Sequence, residues 1–212
     1  MIPLKSSQQG AALLVALVLL AVITALTVTN MREVTLESRM TANRLEAQQL
    51  LNATDSALRE AEKRFYGPGN VAAKLEASTD NCKKSNTYQR LTNKPCLLSV
   101  PSTNVRAFLH NPLKFIKESS AFNNWTGAKT ETASNTTYTP WMPYRGTAPG
   151  ENSSLETKAY WNTVLIPSDH INAEYGDALQ GKGTYYYLIN AQAADRFAAQ
   201  STIANISLGL NN

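Results

Sequence analysis

From Ala11 to Thr29 every side chain is apolar or a threonine, and no charged residue occurs between Lys5 and Arg32. A run of about nineteen such residues, rising 1.5 Å each as an α-helix, is long enough to cross a hydrocarbon core of roughly 30 Å. From Arg32 to Phe65 the pattern stays helical but becomes one-sided. Ala47, Leu51, Thr54, Leu58, Ala61 and Phe65 recur at alternating steps of four and three, which draws one apolar stripe along a helix. Charged residues such as Glu37, Arg44, Glu60, Glu62 and Arg64 fall off that stripe and read as a solvated face. No Gly or Pro occurs between Gly10 and Gly67, and Tyr66-Gly67-Pro68-Gly69 supplies the stop. The pattern therefore predicts a single helix, apolar all round over 11–31 and amphipathic over 32–66. The stripe needs a globular domain packed on it; a coiled-coil dimer is the competing way to cover it.

After Gly67 the chain is rich in Asn, Thr and Ser and loses a regular hydrophobic period until about residue 158. Asn111-Pro112 followed by LKFIKESSAF reads as a short helix with Asn111 as its cap and Pro112 in its first turn. The segments 158–166, 184–193 and 201–210 are rich in β-branched and aromatic residues and are separated by turn-forming stretches, including AADRFAA. They predict three strands at hairpin-like spacing. The expected fold class is α+β: a long N-terminal helix, apolar and then amphipathic, packed on a C-terminal antiparallel sheet. Trp125, Trp141 and Trp161 are expected in the core or on the sheet face.

Composition narrows the chemistry. The chain has 212 residues and a formal net charge of +4, and the portion after the helix is large enough for one globular domain. Cys82 and Cys96 have thirteen residues between them, without the C-x-x-C spacing of a redox or zinc site. If this portion is periplasmic, a disulfide between them is the simplest reading, worth roughly 3 kcal/mol by loop entropy; two unpaired thiols in a reducing compartment is the alternative. His110 and His170 stand singly, and the sequence offers no metal-ligand spacing, cofactor motif or nucleophile arrangement, so an enzyme is not expected. Between Asn81 and Lys117 no Asp or Glu occurs, while Lys83, Lys84, Arg90, Lys94 and Arg106 do, with Tyr88, Phe108 and Phe115 interleaved. Such a surface suits an acidic protein neighbour, or single-stranded nucleic acid gripped by phosphate contacts and stacking; plain solvation of the loop is the third reading.

The apolar run is longer than the core of a secretory signal peptide and passes without a breaker into the amphipathic helix. The natural break lies before it, at Gly10, so that a leader over 1–10 is removed and the apolar helix stays on the mature chain; an uncleaved signal anchor is the alternative. A short leader ending in glycine, an apolar helix and an amphipathic extension together resemble the N-terminus of type IV pilins and pseudopilins. The likeness extends through residues 31–65. There Met31-Arg32, Thr35-Leu36-Glu37, Arg39-Met40 and Asn43 are followed by Ala53, Ala57-Leu58-Arg59 and Ala61-Glu62, as in the PilX group of minor pilins. The resemblance covers roughly residues 8–66, and beyond it only a general likeness remains, including the Tyr-rich strand near the C-terminus.

What the resemblance implies is specific. A prepilin peptidase would cut between Gly10 and Ala11, and the new amine would be methylated. The chain would sit in the bacterial inner membrane with residues 67–212 forming a periplasmic domain. It would then assemble with other minor pilins below a PilY-type tip protein and above the major pilin, supporting piliation, twitching motility and adhesion. Two positions depart from the major-pilin pattern: the first mature residue would be Ala11 rather than Phe, and the fifth would be Val15 where most pilins carry Glu. In the family that Glu is thought to neutralise the amine of a neighbouring subunit, so Val15 points to a place at or near the filament tip, where no amine needs neutralising. Two alternatives stand beside this reading. One is a tip subunit that itself binds DNA or a surface through the basic region 81–117. The other is a tip pseudopilin of type II secretion.

Overall fold

The computed structural model describes residues 8–70, 74–89, 93–125, 137–166 and 182–208. The chain divides into two units, residues 1–48 and 49–212. Helix α1 runs Gln8–Lys63, followed by a 3₁₀ turn Arg64–Tyr66. The described part of the first unit is helix alone, and its leucines and valines are exposed on every side, Leu13 at 69 % and Leu17 at 64 %.

In the second unit, the last turns of α1 lie against a sheet of five strands: β1 Leu97–Leu98, β2 Met142–Pro143, β3 Ala159–Leu165, β4 Lys182–Ala193 and β5 Phe197–Leu208. The three segments rich in β-branched and aromatic residues are β3, β4 and β5. They pair antiparallel, β3 with β4 and β4 with β5. The fold is thus α+β as expected, but the sheet is mixed, because β1 lies parallel to β3, Leu97 opposite Thr163. β2 pairs antiparallel with the other end of β3, Met142 opposite Trp161. The AADRFAA stretch, expected to separate strands, supplies only a three-residue turn. Ala193 pairs with Phe197, and β5 therefore begins earlier than its β-branched content indicates. Ala194 and Asp195 take positive φ in that turn, and the Asp195 N–H donates to the Gln192 side chain. Lys182 and Gly183 belong to β4.

The helix stripe needs a correction. Leu51 is 49 % exposed, while Ala53, Ala57 and Ala61 are buried, joined by Thr54 and Phe65, and the Phe65 ring sits 5.3 Å from that of Tyr187 on β4. Small side chains at every fourth position form the centre of the contact line, with Leu50 and Leu58 packed at its edges. Helix α1 stops where glycine and proline begin. Gly67 is extended, and the Asn70 amide donates to the carbonyls of Arg64 and Asn93, satisfying a helix-end group that has no further turn to bond it.

Between sheet strands β1 and β2 stands helix α2, Ser102–His110, which the polar composition of its segment did not reveal. Asn111-Pro112 opens a single 3₁₀ turn, Pro112–Phe115, in which the Asn111 side chain makes no capping bond. Phe108 meets Phe115 and Phe122 edge-on at 5.8 and 5.5 Å, and all three are buried. Trp125, Trp141 and Trp161 are core residues.

Candidate functional site

Gly10 and Ala11 lie in the first turns of α1, and both are exposed; a Cβ added at Gly10 would meet nothing within 4 Å. Val15 is 55 % exposed one turn further on. Most leader residues fall outside the described residues. Among those described, α1 is the one helix long and apolar enough to cross a membrane by length and composition, and none of its most apolar stretch is buried. Such a helix is compatible with membrane anchoring.

The second candidate region is the loop between the cysteines. Cys82 and Cys96 are joined, with Cα atoms 4.6 Å apart and both residues fully buried. The join fastens the loop to the sheet, because the Cys96 carbonyl accepts hydrogen bonds from the Thr163 N–H and hydroxyl on β3. Of the basic residues, Lys83 pairs with Asp80 at 3.1 Å and stacks on Tyr138, 4.7 Å from the ring centre. That pairing holds the Asp80 carboxyl below its usual value and lifts the Lys83 amine. Lys94 is exposed, Arg106 is exposed on α2, and Arg90 lies outside the described residues. The interleaved aromatics do not form a stacking platform, since Phe108 and Phe115 are buried and the half-buried Tyr88 faces the Arg64 guanidinium at 5.9 Å.

Beneath this loop lies a charged pair placed on the solvated face by its sequence pattern. Glu60 and Arg64, one helical turn apart, are both fully buried, and Arg64 Nη2 lies 2.9 Å from Glu60 Oε1. The other Glu60 oxygen accepts the Arg145 backbone N–H at 2.7 Å. Arg64 also donates to Asn86 Oδ1 at 2.8 Å and lies 5.5 Å from the Trp161 ring centre. Burial lifts the Glu60 carboxyl above the usual range, opposed by the adjacent Arg64 charge and its hydrogen bonds. The pair thus ties α1 to the disulfide loop, to β3 and to the chain after β2.

That last segment and the disulfide loop enclose a cleft of about 450 Å³. Lys84 and Arg145 line it together with Tyr144 and several hydroxyl- or amide-bearing side chains. Its walls are pinned: the Ser153 N–H donates to the Arg145 carbonyl, and the Gly150 N–H donates to the Tyr88 carbonyl. Arg145 and Tyr144 carry no sequence signal beyond a turn-rich setting, PYRGTAPG, whereas Glu60 and Arg64 show the i,i+4 spacing of an ion pair. Among the described residues no group of three or more His, Cys, Asp or Glu is placed to hold a metal ion. His110 ends α2 and His170 falls outside the described residues.

No curated protein and no solved structure matches the chain. Residues 9–59, all within α1, match the family model described as PilX N-terminal, a match consistent with a PilX-type pilin and one that suggests a minor pilin of a type IV pilus.

Proposed function

We propose that this chain is a minor pilin that primes assembly of a type IV pilus and stands at or near its tip. The observation that carries the reading is the exposed apolar helix, with Gly10 before it and a PilX-type sequence along it. Such a helix serves twice, in the inner membrane before assembly and in the filament core afterwards. A prepilin peptidase cuts after Gly10, Ala11 becomes the methylated N-terminus, and residues 67–212 face the periplasm, where the Cys82–Cys96 bond is stable. Other minor pilins flank the chain, a PilY-type protein stands above, and the major pilin follows below. Adhesion and twitching then act through the assembled fibre.

The tip assignment rests on Val15. A charged residue at the centre of an apolar helix costs about 2.5–3.5 kcal/mol unless it is neutralised. A subunit with no neighbour's amine above it gains nothing from the glutamate that most pilins carry. Mass spectrometry of the mature chain should begin at Ala11, and an intact leader in piliated cells overturns the pilin reading. Val15→Glu should reduce piliation severalfold; normal pilus numbers in that variant sink the tip placement. A subunit that grips nucleic acid by stacking is the weaker reading, because Phe108 and Phe115 belong to the core.

A further inference from the structure

The described lining of the cleft carries two cations, Arg145 and Lys84, and no carboxylate. Three cations, Arg64, Arg145 and Lys84, surround or underlie it, and Glu60 is the buried carboxylate among them, already engaged by Arg64 and by the Arg145 backbone N–H. Arg145 is only 7 % exposed, yet its guanidinium donates no hydrogen bond to any described residue. The cleft is the open space that Arg145 lines. Lys84, half-buried in the disulfide loop, also lines the cleft and has no carboxylate partner among the described residues. Glu60 offsets part of the Arg145 charge, and a guanidinium and an ammonium that line one cleft make a place where a further negative group is stabilised.

The rest of the lining narrows what carries that charge. Thr87, Asn152, Ser153 and Ser154 offer hydroxyls and an amide, groups that both donate and accept. A bare oxyanion needs donors alone; a ligand with many hydroxyls uses both. Pro143 and Tyr144 add an apolar surface suited to the face of a sugar ring, and the Tyr144 phenol adds a hydroxyl that can donate. A space of about 450 Å³ falls within the range of small-ligand sites. The walls are rigid as well: the disulfide braces one, and the other turns at Gly146, whose φ of +102° favours glycine. A Cβ there would come within 2.9 Å of Ser153 Oγ.

We propose that the cleft between the disulfide loop and the segment 143–154 binds an acidic sugar, with its carboxylate on Arg145 and Lys84 and its hydroxyls on the serine, threonine and asparagine side chains. The assignment stands on the geometry of the second unit and does not depend on the pilin reading.

The test uses the full chain in detergent micelles with glucuronic acid as probe, glucose as the neutral match and sulfate as the bare anion. Ligand-observed NMR should show saturable binding of glucuronate and none of glucose at the same concentration. Lys84→Gln should weaken glucuronate about tenfold or more, the effect of losing one charge-assisted contact. Arg145→Gln should weaken it at least as much, and Lys84→Gln carries the test if the buried substitution misfolds. Glucuronate bound no better than glucose, or bound equally by Lys84→Gln, overturns the proposal. Sulfate that competes as well as glucuronate overturns the sugar assignment.

Discussion

Glu60 and Glu62 are two carboxylates on the same helix, two positions apart, and the local difference between them is an arginine one turn after Glu60. The structure separates them: Glu60 is fully buried against Arg64, whereas Glu62 is partly exposed. Their substitution energies should therefore differ sharply. Removing one partner of a buried pair leaves the other charge uncompensated, and Glu60→Ala is expected to destabilise the fold by about 3–5 kcal/mol. Glu62→Ala should stay within about 0.5 kcal/mol, as surface changes do. Urea denaturation of the full chain in detergent, followed by tryptophan fluorescence, reads both, since Trp161 sits 5.5 Å from the Arg64 guanidinium. Equal midpoints for the two variants would remove the argument that this pair anchors the domain. The i,i+4 spacing of Glu60 and Arg64 was visible in the sequence, but spacing identifies a pair without saying what covers it. Here the cover is Trp161 on β3, Asn86 in the disulfide loop and the backbone of Arg145, all remote along the chain.

At the scale of elements, legibility followed the length of the pattern. The long helix was legible from an unbroken period and a Gly-Pro stop, and β3, β4 and β5 from their β-branched and aromatic content. β1 and β2 are two residues each, too short for any period to register, and are held by pairing with β3. The stripe holds at Thr54, Leu58, Ala61 and Phe65 and fails at Leu51, because hydrophobicity weights leucine above alanine, whereas a helix packed on a sheet selects side chains by the room available. Ala57, with no exposed surface, fills its site; Leu51, half-exposed, does not. Ala57→Leu should then overpack the interface and lower stability by about 1–3 kcal/mol. Leu51→Ala, a change that would be severe in a core, should alter it by less than about 0.5 kcal/mol. Thermal melts of the two variants decide between the faces: a large loss at Leu51 and a small one at Ala57 would restore the stripe drawn by periodicity.

At the scale of the molecule, two kinds of surface stand in contrast, an open cleft and an exposed apolar helix. The cleft is assembled from the disulfide loop and a turn-rich segment far away in sequence, so its residues became visible as a group only through the fold. The apolar helix, in contrast, was legible at once, since compatibility with a membrane depends on composition and length more than on arrangement. That difference yields a quantitative test. Residues 11–29 contain eleven Leu, Ile and Val side chains, each contributing about −0.3 to −0.6 kcal/mol to insertion. Replacing Leu17 and Leu20 by lysine leaves nine of them, together about −3 to −5 kcal/mol, and adds about 5–7 kcal/mol from two mid-span charges. The balance changes sign, so the double variant Leu17→Lys with Leu20→Lys should be released from membranes by alkaline extraction, whereas the unaltered chain stays in the pellet. Ser38→Lys, on the exposed helix beyond the apolar run, places a lysine outside the span and should leave the chain in the pellet. If the double variant also remained there, the helix would not be held by lipid contact, and an association with other apolar helices strong enough to survive extraction would have to hold it.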